Sequence, residues 1–302
     1  MADPADARTE AEVLADLVAL LRLEGIEDTI FRGRSQDLGW GAIFGGQVLG
    51  QALWAAAHTV DPSRRPHSLH AYFLRRGDAS RPVVYQVDRT RDGRSFSTRR
   101  IVAVQKGRPI FDMAVSFHAD EPGFSHQEPM PSVPGPDGLA SERALAARIA
   151  DRIPEPLRAQ ALSPRPIEIR LVEPQDPLAP TPRPAVRYAW LRAAAALPDD
   201  PIVHQALLAY ASDFHFLTTA LSPHGVSWLT PGMQVASLDH AMWFHRPVRF
   251  DDWVLYAVAS PAAAESRGLV LGRLYARDGT LVASTAQEGL IRFRKPGGAV
   301  AP

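Results

Sequence analysis

The 302-residue sequence predicts an α+β protein that builds one unit twice in tandem, each copy a long apolar helix wrapped by an antiparallel sheet. Three observations predict it. Apolar residues recur at helical spacing in Gly46–Val60 and again in Val203–Leu221. Strand-like runs separated by turn residues follow each of these helices. The second set of runs keeps the order of the first and shares some of its letters.

Residues 1–10 read as disordered. Ala11–Leu23 reads as an amphipathic helix with Val13, Leu17, Leu20 and Leu21 on one face, ended by Gly25. Thr29–Arg34 reads as a short strand. Glycine-rich Gly39–Gly46 then leads into the first long helix, whose buried side is Val48, Leu49, Ala52, Leu53, Ala56 and Ala57; Pro62 terminates it. His67–Leu74, Pro82–Thr90, Phe96–Gln105 and Pro109–Ala119 follow as strands, the last with Phe111, Met113, Val115 and Phe117 on one face. Glu121–Pro166 is a surface connection with one helix at Glu142–Ile153. Ile167–Val172 and Ala185–Arg192 are strands. In the second long helix Val203, Leu207, Tyr210, Phe214 and Leu217 form the apolar stripe. Val235–Arg246 then matches Pro66–Arg75, down to S-L-x-H against S-L-H-A. Asp252–Ala259 matches the run from Pro82, Arg267–Ala276 matches Phe96–Gln105, and Thr280–Phe293 matches Pro109–Ala119. A long helix against about five antiparallel strands is the pattern of a hot-dog fold. The expected division is a first hot-dog repeat over 1–122, a linker over 123–165, and a second hot-dog repeat over 166–302.

Hydrophobic residues make up 46% of the chain, enough for a sizeable core. Lys plus Arg and Asp plus Glu are 33 each, so no net field attracts nucleic acid or acidic membranes. Cysteine is absent, which excludes disulfides, thiol nucleophiles and thiolate metal sites and suits a reducing compartment. No apolar run reaches the length of a membrane span, the N-terminus is acidic rather than a signal peptide, and GGAVAP at the C-terminus carries no address. A soluble cytoplasmic protein is the expectation. There is no P-loop and no G-x-S-x-G elbow, so neither nucleotide triphosphate chemistry nor an α/β-hydrolase serine is supported.

The second long helix carries Asp213 beside its apolar stripe, and a carboxylate is rarely desolvated without a purpose or a partner. Two readings are open: an Asp that caps a second helical segment after a break at Ser212, or a catalytic carboxylate presented by a central helix.

Five segments bear on that choice. FGGQVLGQAL (Phe44–Leu53), HSLHAYFLRRGD (His67–Asp78), YASDF (Tyr210–Phe214), SLDHAMWFHRP (Ser237–Pro247) and ASTAQEGLIR (Ala283–Arg292), in that order, resemble the type II acyl-CoA thioesterases, the TesB-like double hot-dog enzymes. The similarity runs from about Leu17 to Arg292. It implies hydrolysis of fatty acyl-CoA to free fatty acid and coenzyme A, with no metal or other cofactor. It also implies a catalytic group of carboxylate, hydroxyl and amide that together hold one water. Position by position these fall on Asp213, on Ser237 where relatives often have Thr, and on Gln287.

The residue types suit that chemistry. With thiols excluded and no serine elbow, water is the remaining nucleophile; Asp213 can accept its proton, and Ser237 and Gln287 can aim it. In the strand around Gln287, Ala283, Thr285 and Gln287 share one face and Glu288 takes the other; without the resemblance, Gln287 reads as an ordinary polar strand residue. The first long helix has no acidic residue, so one active site per chain is expected. Its Gly45–Gly46 entrance offers backbone N–H groups to a carbonyl or anion, or is plain turn geometry. A metal on Asp239, His240 and His245 is not expected, since 240 and 245 face opposite sides of a strand. His67, ahead of His58, is the histidine with a candidate supporting role, against an ordinary structural one. For the phosphates of coenzyme A the candidates are Arg75, Arg76, Arg91, Arg94, Arg99, Arg100, Arg246, Arg249 and Arg267, with Arg94 and Arg267 foremost; the alternative for each is a solvated edge charge. Phe111, Met113, Trp243 and Trp253 are acyl-tunnel or core residues. Two other functions stay open: an enoyl-CoA hydratase, whose chemistry wants an Asp–His pair although His215 would point about 200° round the helix from Asp213, and a non-catalytic acyl-CoA binding module. A homo-oligomer, dimer or tetramer, is expected.

Overall fold

The computed structural model describes residues 8–39, 41–155 and 157–294. The expectations for most of residues 1–10 and for GGAVAP lie outside the described residues.

The first helix, α1 (Glu10–Leu21), starts where its side chains say it should. The Glu12 N–H donates to Thr9 Oγ1 at 3.2 Å, and the Thr9 N–H donates to Glu12 Oε2 at 2.7 Å, a reciprocal capping box. Leu14, Leu17, Leu20 and Leu21 are its buried face. Gly25 does not end it; Arg22 already has extended backbone, and Gly25 lies in β1 (Glu24–Glu27), which pairs with β2 (Ile30–Gly33). Next come α2 (Gly45–Ala57), β3 (Arg64–Phe73), β4 (Val83–Asp92), β5 (Phe96–Gln105) and β6 (Arg108–Ala119). The connection carries α3 (Glu142–Arg148) and α4 (Leu157–Leu162) in place of one helix to Ile153. Then follow β7 (Ile167–Leu171), β8 (Val186–Ala193), α5 (Pro201–Ser212), α6 (Phe216–Leu221), β9 (Met233–Ser237), β10 (Asp239–Phe244), β11 (Val254–Ala264), β12 (Arg267–Ala276) and β13 (Leu281–Phe293).

Among the described residues the strands form one antiparallel sheet in the order β1-β2-β4-β5-β6-β3-β10-β13-β12-β11-β8-β7, with β9 also on β13. The order is the same read from either end once the halves are exchanged, so the duplication seen in the sequence is built into the hydrogen-bonding. The halves join at β3–β10, where His240 lies opposite Ala71 and Ala241 opposite His70. Residues opposite one another share a face. His240 is buried with Ala71, whereas His70 is exposed. The match of S-L-x-H to S-L-H-A, taken without a gap, sets His240 against Ala71, and both face inward; a slip of one residue would turn a side chain to the other face.

Inside the curl of this sheet α2 and α5 pack on each other. A Cβ on Gly46 would lie 2.2 Å from the Tyr210 carbonyl oxygen, so only glycine permits this crossing. Leu49, Ala52 and Leu53 of α2 and Leu207 and Leu208 of α5 are buried there, at about 1.5–3 kcal/mol for each large apolar side chain. A second apolar cluster lies on the opposite face of the sheet: Trp190, Trp253, Leu255, Ala257 and Tyr275, covered by Met130, Val133 and Leu139 of the connection. Trp253 packs in this second cluster, with the guanidinium groups of Arg170 and Arg192 over its ring. Trp243 packs edge-on against the exposed His70 at the seam, while Phe111 and Met113 belong to the main core.

No helix of the described residues is long and apolar enough to cross a membrane.

Candidate active site

The long helix expected over Val203–Leu221 is two helices. α5 ends at Ser212, Asp213 is its C-cap, and His215 takes a left-handed conformation (φ +59°) before α6 begins. The break is the one the capping reading called for, but Asp213 does not cap α6. Its carboxylate turns across to the other half of the molecule. The Gly46 N–H, in the first turn of α2, donates to Asp213 Oδ2 at 3.0 Å. Gln287 Nε2 donates to Asp213 Oδ1 at 3.2 Å, and Ser237 Oγ lies 3.4 Å from the same oxygen. Gln287 Nε2 also donates to Ser237 Oγ at 2.6 Å. A carboxylate facing a helix N-terminus meets exposed N–H groups and a favourable dipole.

A bulge gathers the other two side chains. Ser237 pairs with Gly289 and Ala241 with Ala286, so the β9–β10 side carries one extra residue across this interval. Leu238 fills the break: its N–H donates to Glu288 O, and the Phe73 N–H donates to its carbonyl. Bulges re-aim side chains, and here Ser237 and His240 are brought to Gln287 from opposite sides of the irregularity. Glu288 faces away, as strand alternation requires, and pairs with Arg267.

Burial raises the pKa of Asp213 to about 6, with the hydrogen bonds from Gln287, Gly46 and Ser237 pulling the other way. The aromatic surroundings explain the desolvation. Phe44 stacks on Phe214 at 4.6 Å and meets Tyr210 edge-on at 5.2 Å. Phe73 lies where a side chain on Gly45 would be, as does Asp213 Oδ2, 2.6 Å from a Cβ there. Gly45 thus leaves the carboxylate its space, and Gly46 supplies it a donor. The aromatic wall is a feature the sequence reading missed, although Phe44, Tyr210 and Phe214 stood within the quoted FGG and YASDF segments. His240, weighed there only as a metal ligand, was missed too: it is buried against Gln287 and Ser212.

Asp213, Ser237, Gln287, Gly45 and Gly46 therefore come together, and the other candidates stand apart. His67 bonds Ser116 Oγ at 2.8 Å and packs against Phe96 and His118. Arg94 is exposed in the β4–β5 turn, its carbonyl accepting from Arg64. Arg267 is engaged by Glu288 and Glu265. Arg99 is 1% exposed and ties the end of α2 to β4 through Thr59 and Asp92, which removes it from the phosphate candidates. His215 pairs with Glu142 of the connection at 2.8 Å rather than working beside Asp213. His245 bonds Ser284 and shares no site with His240, and among the described residues no three His, Asp or Glu are placed to hold a metal ion.

Comparison with known proteins agrees with this architecture. A family profile described as acyl-CoA thioesterase matches residues 160–290, and one for the acyl-CoA thioesterase N-terminal domain matches residues 34–118. The chain is 44% identical over 283 residues to acyl-CoA thioesterase 2 of Haemophilus influenzae, covering 94% of this chain and 99% of that protein. The crystal structure of the acyl-CoA thioesterase II TesB2 from Mycobacterium marinum superposes with a TM-score of 0.74 at 42% identity, covering 95% of this chain and 100% of that one. A hot-dog protein of unknown function from Alicyclobacillus acidocaldarius, 20% identical, shares the fold with a TM-score of 0.73 over 93% of this chain and 99% of its own.

Proposed function

The chain belongs to the acyl-CoA thioesterase family, and from that membership and the site geometry we propose that Asp213, Ser237 and Gln287 hold and activate the water that cleaves the thioester. The reaction is hydrolysis of an acyl-CoA to the free acid and coenzyme A. The observation that carries the assignment of residues is Asp213 itself: a desolvated carboxylate, its pKa raised to about 6, held from three directions.

Each group has a defined job. Gln287 Nε2 gives hydrogens to both Asp213 and Ser237, so the Ser237 O–H remains to be donated. At 3.4 Å it is long for a bond to Asp213, and a water seated to one side of the pair, touching both oxygens, gains from both. That water gives a proton to Asp213 as its oxygen attacks the carbonyl carbon. The tetrahedral intermediate collapses with loss of the sulfur, which takes the proton back from Asp213 and leaves as the thiol. A carboxylate of pKa near 6 is a stronger base than an ordinary one and is still mostly ionised at neutral pH. The aromatic wall keeps the dielectric low where charge moves.

The same reading takes a fatty acyl chain as the group cleaved. It places the enzyme in the cytoplasm, supported by the absence of cysteine, and as a closed homo-oligomer. The deciding experiment is release of free thiol from a panel of acyl-CoAs by wild type and Asp213→Asn. Asp213→Asn is expected to fold and to lose at least a hundredfold in kcat, because its amide cannot take the water's proton. Near wild-type turnover by a folded Asp213→Asn would remove Asp213 as the base.

A further inference from the structure

Behind the water-holding group lies a line of buried polar side chains that ends on Gln287. His240 Nδ1 is 2.7 Å from Gln287 Oε1, and His240 Nε2 is 3.0 Å from Ser212 Oγ. Tyr256 Oη donates to the Ser212 carbonyl at 2.9 Å and lies 3.0 Å from Thr285 Oγ1. His240, Ser212, Tyr256, Thr285 and Gln287 are each no more than 3% exposed.

The direction of the hydrogens between Asp213 and His240 follows from one charge. Asp213 is an acceptor, so the Gln287 carboxamide must present Nε2 to it; the flipped amide would set its oxygen against the carboxylate. Gln287 Oε1 then faces His240 Nδ1, which must carry a hydrogen. Burial lowers the His240 pKa to about 4, so the ring is neutral and has one hydrogen to give. Its Nε2 is therefore a lone pair that accepts, and the Ser212 hydroxyl has two acceptors in reach, this nitrogen at 3.0 Å and the Ala209 carbonyl at 2.9 Å. Tyr256 spends its hydrogen on the Ser212 carbonyl, so Thr285 donates to Tyr256.

We propose that His240 is a positioning residue: as the neutral Nδ1–H tautomer it pins the Gln287 carboxamide with Nε2 aimed at Asp213 and Ser237. This rests on the reading of Gln287 as part of the water-holding group. Without the pin the amide keeps its attraction to Asp213 but loses the contact that fixes its tilt and rotamer. A displacement of the order of 1 Å in such a group costs up to about a hundredfold in rate. Ser212 ends α5 and Asp213 follows it, so the same line also ties the carboxylate's backbone to the sheet that carries the amide.

The test combines kinetics with a direct view of the tautomer. Four variants are compared for thiol release after their folding is checked: Gln287→Ala, His240→Leu, His240→Asn, and Gln287→Ala with His240→Leu. His240→Leu is expected to lower kcat on the order of tenfold to a hundredfold with little change in KM. His240→Asn, whose amide N–H replaces Nδ1–H, is expected to recover most of that loss. The double variant should be no slower than Gln287→Ala alone, since both changes disable one group. Nitrogen NMR of wild type with labelled histidine, the His240 signal identified by its loss in His240→Asn, should show a neutral Nδ1–H ring at working pH. Wild-type kcat in a folded His240→Leu, or losses that multiply in the double variant, would overturn the proposal. So would an Nε2–H or doubly protonated ring, a result that stands even if His240→Leu does not fold. Full activity in Gln287→Ala would overturn the water-holding group and this role with it. Loss in Gln287→Ala with none in His240→Leu would overturn the role of His240 alone.

Discussion

Asp213 is expensive to the folded protein in a way that can be measured. Its pKa rises to about 6 from an ordinary 3.8, so the folded state binds its proton more readily than the unfolded state. The penalty is absent below about pH 4, grows between pH 4 and 6, and is complete above, where it is on the order of 3 kcal/mol. The stability of Asp213→Asn relative to wild type should therefore worsen by a similar amount as pH falls from 8 to 4, read from denaturant midpoints; no change would mean that the carboxyl titrates normally. Activity moves the other way. The acid limb of kcat/KM should bend near pH 6 and fall tenfold for each further pH unit. A bend near pH 4 would contradict the raised carboxyl. Ser237 tests the water more sharply. Thr keeps the oxygen on a stiffer rotamer, so Ser237→Thr should hold or modestly raise kcat. Ser237→Ala removes one contact to the water and should cost on the order of tenfold to a thousandfold. An acylated Ser237, trapped with a slow substrate and seen by mass spectrometry, would mean that serine attacks directly.

At the scale of the element, what makes the site is an interruption. A continuous helix through Asp213 would keep the carboxylate on the helix surface; ending α5 at Ser212 lets it reach the first turn of α2. The apolar spacing of Val203, Leu207, Tyr210, Phe214 and Leu217 extends unbroken across this point, so periodicity alone could not show the break. The left-handed His215 is what ends the run, and it is held by Glu142, 73 positions earlier in the chain. The bulge between β9 and β10 hid for the same reason: the letters VASLDHAMWFHR alternate well enough for one strand. The crossing of α2 and α5 yields a prediction. Gly46→Ala places a methyl against the Tyr210 carbonyl and should destabilise the protein by about 1–3 kcal/mol. Gly45→Ala places it against Asp213 Oδ2 and Phe73 and should lower kcat more than it lowers stability. Equal effects of the two on activity would argue that the glycines serve packing alone.

At the scale of the whole molecule, two copies of one unit have diverged around a shared seam. β6 and β13 hold equivalent places in the strand order. β6 turns Phe111, Met113, Val115 and Phe117 inward, and all are buried; β13 turns in Ala283, Thr285, Gln287 and Gly289. Gln287 lies across from Val270, whereas in the first half Val115 lies across from the buried Arg99, which is bonded to Thr59 and Asp92. One half supplies the polar group, and the other supplies a helix N-terminus to face it. The outer surface leaves Tyr72, Leu269 and Leu271 exposed, and among the described residues β1 and β7 are the terminal strands of the sheet. A closed assembly of at least two chains should cover part of this surface, and light scattering over a wide concentration range should give a mass of twice this chain or more. A monomer throughout would contradict it.

The repeat and the helix-then-strands order were legible in the letters, because apolar periodicity is a local property; Asp213 stood out as a carboxylate beside an apolar stripe, while Ser237 and Gln287 were named through the resemblance to the thioesterase family. Parity alone showed that Gln287 and Glu288 part company across the strand, and the missing acid in the first long helix pointed to a single site. What tertiary structure decided is everything that depends on approach between distant segments. It put the Gly46 N–H on Asp213, 167 residues away, and turned His240 rather than His70 inward. It drew Arg99 into the interior and set Arg94 and Arg267 apart from the water-holding group. Burial, and with it the pKa of Asp213, is a sum over neighbours that the sheet brings together. A sequence states which groups a chain owns; only the packed sheet and helices state which of them meet.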